Sequence, residues 1–168
     1  TGESYWYEVN DWLDDPDRFE TIKSCIPTTR TLKLAGGEPL FMPGVIKLLR
    51  WCVENGHTHM PLDITTNGTR TKGKVLSWLE HFDSVDIQLS IDGIGAVNDY
   101  IRTGSDWETI DQAYKTYLDM ALRVNLLATV QLYNAYDLMN IFDYWVYHGS
   151  YGNLVFNFVD HPRDMQID

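Results

Sequence analysis

The chain has 168 residues, 44% hydrophobic and 22% charged, a composition that suits one globular domain over 1–168 burying roughly two thirds of its unfolded surface. Its formal net charge of −11, from 24 acidic and 13 basic side chains, excludes a broad phosphate-backbone footprint and so argues against nucleic acid as a partner. No apolar run approaches the roughly 18 residues that span a bilayer, no signal-peptide pattern opens the sequence, and neither Cys25 nor Cys52 has a neighbour at metal-ligand spacing, so a cytoplasmic protein with reduced thiols, no membrane contact and no metal site of its own is expected.

Residues 5–25 read as one or two short helices interrupted at Asp14-Asp15-Pro16, where Asp15 can cap and Pro16 suits a first turn. Thr31–Ala35 is a short strand stopped by Gly36-Gly37-Glu38-Pro39. Pro43 opens a helix in which Val45, Ile46, Leu48, Leu49, Cys52 and Val53 recur at helical spacing, and Gly56 ends it. Leu62–Thr66 is the second strand, closed by Asn67-Gly68. A helix is expected over 71–82, then a strand over 85–91 ending at Asp92-Gly93. A short helix near 95–101 and a longer one over 106–121 follow, with Asp106 at the N-cap position and Thr109 three residues on. Val124–Leu132 is the fourth strand. Asp137–His148 is helical, with Leu138, Ile141, Phe142, Trp145 and Val146 on its apolar side. Leu154–Val159 is a fifth strand, and the tail from Asp160 is polar and loose. The alternation of strand and helix predicts an α/β protein, a partial (β/α) barrel with a parallel sheet of about five strands and helices outside.

Polar punctuation falls at one place in this rhythm. Gly36-Gly37-Glu38, Thr66-Asn67, Ser90 with Asp92, and Tyr133-Asn134 each follow a strand. The carboxyl ends of parallel strands share one face, where ligands bind. Each element alone has an ordinary explanation as a turn or a cap; four converging on one rim are harder to dismiss.

These segments resemble motifs of one family. Leu34–Leu40 resembles the GGEP motif of radical S-adenosylmethionine (SAM) enzymes. Thr65–Thr69 is similar to their TNGT segment, Gln88–Gly93 to the strand end carrying S-D-G, Tyr100–Trp107 to the "YIRxGxxW" stretch of the SPASM/Twitch-type branch, and Thr129–Asn134 to that branch's "TVxxxN" strand. They run in the family's order over about residues 30–135.

The resemblance implies that Gly36, Gly37 and Glu38 hold the amino group of SAM. Glycines let backbone carbonyls approach an ammonium, and a carboxylate adds a charge-assisted bond. It also implies Ser90 and Asp92 near the SAM carboxylate or ribose, Arg102 as the partner of that carboxylate, Asn134 near ribose or adenine, and Thr66 and Asn67 as the floor between SAM and substrate. The alternative for Arg102 is a surface salt bridge on the following helix. No residue is assignable as an acid, base or radical donor, and His57, His59 and His81 suit surface or structural roles.

The family's CxxxCxxC loop, whose three thiolates hold a [4Fe–4S] cluster, has no counterpart in this sequence. The expectation is therefore a fragment of a radical SAM enzyme, inactive alone, with the cluster ligands upstream of Thr1 in the parent. The parent would cleave SAM reductively with electrons from a reductant and act on a peptide or protein. A degenerate homologue that binds SAM or a peptide without chemistry is the alternative. A barrel lacking its first strand exposes an edge, which predicts an edge-mediated dimer, aggregation, or cover by residues 1–25.

Overall fold

A computed structural model of the chain describes residues 12–149 and 151–159. The earlier part of the helical segment expected over 5–25 and the loose tail expected from Asp160 lie outside the described residues. Helix α1 (Pro16–Cys25) starts as its sequence predicts: the Asp15 carboxylate accepts from the backbone amides of Asp17 and Arg18, and Pro16 occupies the first turn. Strand β1 (Leu32–Leu34) leads to α2 (Pro43–Glu54), and β2 (Leu62–Thr66) to α3 (Lys74–Leu79). Strand β3 (Val85–Ser90) is followed by α4 (Ala96–Ile101) and α5 (Trp107–Asp119). Strand β4 (Arg123–Val130), α6 (Leu138–His148) and β5 (Leu154–Phe158) complete the order. All five strands pair in parallel with their sequence neighbours, β1-β2-β3-β4-β5. The architecture is the expected partial (β/α) barrel.

Strand alternation decides what each face carries. In β2 and β3 the residues Leu62, Ile64, Val85, Ile87 and Leu89 are buried under the helices, while the intervening ones are half-buried. The covered face packs on Leu48, Leu49 and Cys52 of α2, Leu79 of α3 and Tyr114 and Tyr117 of α5, all close to fully buried. Burying side chains of this size stabilises by roughly 1.5–3 kcal/mol each. The opposite, concave face carries a charged row in register: Lys33, Asp63, Asp86 and Arg123 lie side by side on four strands. Lys33 pairs with Asp63 at 3.5 Å, and Arg123 holds Asp86 with two guanidinium nitrogens. Thr65, Gln88 and Asn125 form the next row toward the carboxyl ends.

Several boundaries differ from the sequence expectation for local reasons. The helix expected over 71–82 is only Lys74–Leu79, because Gly73 enters at φ 115°, outside helical space. Strand β4 stops at Val130 instead of Leu132, since Asn134 folds the following residues into a turn: its side chain accepts from the Gln131 amide, and its own amide bonds the Gln131 carbonyl. The apolar side assigned to α6 divides. Ile141 is buried and Leu138 and Trp145 half-buried, but Phe142 and Val146 are exposed, as is Met139. Helix α6 meets α5 through Tyr144, which lies against Trp107, Tyr114 and Asp111, and part of its apolar surface stays exposed. At the other edge, Leu13 and Ile22 leave an apolar cleft of about 300 Å³ beside Leu32 and Leu34 of β1. Residues 1–11, the rest of the cover expected for that edge, lie outside the described residues.

Candidate SAM-binding rim

The rim begins where β1 and β2 end. Gly36 and Gly37 turn through positive φ, 94° and 46°, with open space in front of both. The turn aims Glu38 at the end of β2. Its carboxylate accepts from the Thr66 hydroxyl at 2.8 Å, the Asn67 amide at 2.8 Å and the Leu40 amide at 3.3 Å. Thr66 is buried and its Oγ1 accepts in turn from the Gly68 amide at 3.1 Å. Gly68 sits at φ 75°, where a Cβ would stand 2.7 Å from Leu89 Cδ1, so the loop passes directly over β3. The Asn67 side chain closes a local turn by accepting from the Thr69 amide and hydroxyl.

A second network joins the ends of β3 and β4. Asp92, 6% exposed, accepts the Thr129 amide at 2.8 Å through Oδ1, and its Oδ2 lies 2.8 Å from Arg102 Nε. The Nε–H is not aligned with that contact, which makes it an ion pair rather than a hydrogen bond. Asn134 is wholly buried and donates through Nδ2 to the carbonyls of Asp92 and Thr129, both at 2.8 Å. Asp137 accepts the Ile94 amide at 2.7 Å, and Asn98 accepts the Asp92 amide at 2.9 Å while donating to the Ser105 hydroxyl.

The structure thus brings Gly37, Glu38, Thr66 and Asn67 together on one side of the rim and Asp92, Arg102 and Asn134 on the other. Ser90 is half-buried on the concave face beside Leu127. A depression of about 190 Å³ runs between Asn67 and Thr69 on one wall and Arg102, Gly104 and Ser105 on the other, linking the two groups. Another of about 430 Å³ is lined by Asp92, Tyr100, Ile101, Thr129, Gln131 and Tyr133. Asn134 and Arg102 have partners that the sequence does not name. Asn134 spends its amide inside the protein, and Arg102 pairs with another member of the set, Asp92. Sequence reasoning missed Asn98 and Asp137; an asparagine inside a six-residue helix was the available signal, because Asn favours bonding backbone over helix.

The donor set suits a zwitterionic amino acid. Carbonyls of an open glycine turn and the Glu38 carboxylate complement an ammonium. Arg102, with its Nε unaligned, complements a carboxylate. The set does not suit an iron–sulfur cluster. Among the described residues no group of three His, Cys, Asp or Glu side chains converges, and Cys25 is exposed while Cys52 is buried with its thiol pushed up to about 11 by desolvation.

No protein-family model matches the chain. Mycofactocin maturase MftC of Mycobacterium tuberculosis is 32% identical over 106 residues, 62% of this chain and 24% of the maturase. Over that stretch the chain is similar in sequence to a radical SAM protein. Its fold recurs in SuiB of Streptococcus suis bound to S-adenosylmethionine, with TM-score 0.67 at 15% identity over 90% of this chain and 35% of SuiB. It recurs in anSMEcpe with bound AdoMet and the Kp18Cys peptide, with TM-score 0.63 at 17% identity over 76% of this chain and 37% of that one. A third match is the radical S-adenosylmethionine methyltransferase TsrM from Kitasatospora setae, with TM-score 0.62 at 11% identity over 83% and 28%. The chain spans about a quarter of the length of the curated relatives it matches. Among the described residues no helix is long and apolar enough to cross a membrane.

Proposed function

We propose that this chain forms the SAM-binding rim of a radical SAM enzyme that modifies a peptide or protein. The observation that carries the reading is the two-sided rim: an open Gly36–Gly37 turn with Glu38 at the ends of β1 and β2, and Arg102 with Asp92 at the ends of β3 and β4. Gly36, Gly37 and Glu38 would hold the ammonium of SAM. Arg102 would exchange part of its contact with Asp92 for the SAM carboxylate. Ser90 and Asp92 would face the carboxylate or ribose. Thr66 and Asn67 form the floor. Asn134 acts at one remove, by holding the Asp92 and Thr129 backbone in place for ribose or adenine. SAM, when cleaved by an electron from a [4Fe–4S] cluster and an external reductant, supplies radical chemistry; the thiolates for that cluster come from outside the described residues. The peptide part of the reading is supported by the relatives, since SuiB has been crystallised with its precursor peptide SuiA and anSMEcpe with peptides.

The test is SAM binding by isothermal titration in the full-length protein, with Arg102→Ala and Glu38→Gln beside it. Binding is expected to weaken at least about tenfold in Arg102→Ala, the loss of one charge-assisted bond. No SAM binding by the intact protein would overturn the proposal. Binding without formation of 5′-deoxyadenosine under reducing conditions would select the non-catalytic alternative.

A further inference from the structure

An acidic protein concentrates part of its few cations on one loop. Of 13 basic residues, Arg70, Lys72 and Lys74 fall within the segment Arg70-Thr71-Lys72-Gly73-Lys74. This loop follows Asn67–Thr69 directly, so it borders the rim at the carboxyl end of β2. Among the described residues none of the three cations has a carboxylate within ion-pair distance; Arg18, Arg50, Arg102, Arg123, Lys23, Lys33 and Lys115 all do.

Arg70 is also held in place. Its guanidinium carbon stands 4.7 Å from the centroid of the Phe41 ring, which is 47% exposed. It lies so close to Gly73 that a Cβ there would be 2.8 Å from Nη2. Its Nε is shielded from solvent and has no acceptor. Its carbonyl accepts from the Tyr117 hydroxyl at 3.0 Å, and Tyr117 is fully buried, its phenol raised by desolvation first and then by the nearby Glu38 charge, so the donor proton stays. Glu38, the anion of the neighbouring turn, is already committed to Thr66, Asn67 and Leu40. Among the described residues the result is a fixed guanidinium at the rim, flanked by two ammonium groups and lacking a paired carboxylate.

We propose that the Arg70–Lys74 loop binds a carboxylate of the peptide substrate, with Arg70 as the specificity-determining contact. The proposal rests on the peptide reading above. A guanidinium is a planar fork whose paired donors a carboxylate fills, and here an aromatic ring and a glycine hold it in one place. A protein of net charge −11 repels an acidic peptide over most of its surface, so a local cationic loop would set where that peptide lies.

The experiment follows the Arg70 Nε–H resonance by NMR in the full-length protein, assigned by its loss in Arg70→Lys. The probes are short acetylated peptides alike except at two positions that carry Glu, Gln or Lys, with amidated ends, plus the Gln peptide with a free C-terminus. The Glu peptide is expected to bind at least about tenfold more tightly than the amidated Gln peptide and to move the Arg70 resonance. That preference should collapse in Arg70→Gln and shrink in Lys72→Gln/Lys74→Gln, whose exposed side chains leave folding intact. Tight binding of the free-ended Gln peptide would place the carboxylate at the chain end; tight binding of the amidated Glu peptide places it on a side chain. Equal binding of all peptides, or a preference that survives Arg70→Gln, overturns this proposal and leaves the peptide reading standing. Failure of every peptide to bind counts against the peptide reading itself. Displacement of the Glu peptide by inorganic phosphate at equal concentration overturns the choice of carboxylate.

Discussion

Glu38 and Thr66 meet across 28 residues of sequence, carboxylate to hydroxyl at 2.8 Å, and through this bond the turn after β1 is fixed to the end of β2. The same carboxylate also takes the Asn67 and Leu40 amides, so it is an architectural element of the rim. In Glu38→Gln one oxygen becomes a donor and at least one of those groups loses its acceptor. A loss of about 1–3 kcal/mol in urea denaturation is expected, along with weaker SAM binding. Unchanged stability would mean that the turn is held by something other than this carboxylate.

Asn134 should be among the least replaceable residues of the rim. Its buried amide makes bonds to the Gln131 amide and to the carbonyls of Asp92 and Thr129. Asn134→Ala is expected to cost about 2–4 kcal/mol, since it strands several buried polar groups. Asn134→Asp should be worse at neutral pH than at acid pH, because an ionised oxygen would face two carbonyls. Denaturation curves of both variants at pH 4.5 and 7.5 check this.

Gly68→Ala tests the crossing of the loop over β3. The new methyl would sit 2.7 Å from Leu89 Cδ1 at φ 75°, and a destabilisation of roughly 2–4 kcal/mol is expected from crowding and backbone strain together. Leu89→Ala clears the contact but not the strain. The double variant should therefore be more stable than the sum of the singles, and simple additivity would show that the methyl never reaches Leu89.

The two cysteines should label in sequence. Cys25 is exposed, whereas Cys52 is buried and its thiol is pushed up to about 11 by desolvation. Iodoacetamide at pH 7.5 is expected to modify Cys25 in the folded protein and Cys52 only after denaturation, read by intact mass.

His148 closes a cluster between α5 and α6. Its ring lies 4.6 Å from that of Tyr144 and 5.4 Å from that of Tyr114, and Tyr144 donates to Asp111 at 2.7 Å. Burial lowers the His148 pKa below its ordinary 6.5, with Asp111 opposing and Lys115 reinforcing the shift. A histidine lowered on folding favours the folded state above its unfolded pKa, and that contribution is lost as pH falls through the folded value. Stability should therefore decline on acidification below pH 6.5, and His148→Gln should flatten that limb. Asp111 adds a second loss at lower pH: burial alone would raise it, but the bonds from Lys115 and Tyr144 prevail and lower it below 3.8. An acid limb unchanged in His148→Gln would assign the decline to other groups.

Much of this was readable in advance because a parallel sheet writes its pattern plainly. Leu62–Thr66 and the start of β3 at Val85 coincide with the expected strands, where apolar and half-buried residues alternate without interruption. The rim was located by punctuation at strand ends. What stayed hidden were partners distant in sequence. Nothing near Asn134 announces that it serves the Asp92 carbonyl, and nothing near Asp137 announces the Ile94 amide. The expected apolar side of α6 erred for a related reason: helical periodicity tells which residues share a stripe, but coverage depends on neighbouring elements, and Phe142 and Val146 stay exposed.

The row of Lys33, Asp63, Asp86 and Arg123 limits how deep a guest can go. From Ser90 down to Asp86 the strand runs four residues, roughly 13 Å at about 3.3 Å each. A molecule descending from the rim would pass hydroxyls and amides and then arrive at a charged floor, two carboxylates flanked by two cations, that favours no hydrocarbon. The concave face is a well of finite depth, and its chemistry sorts what enters by how much of the visitor is greasy and at which end.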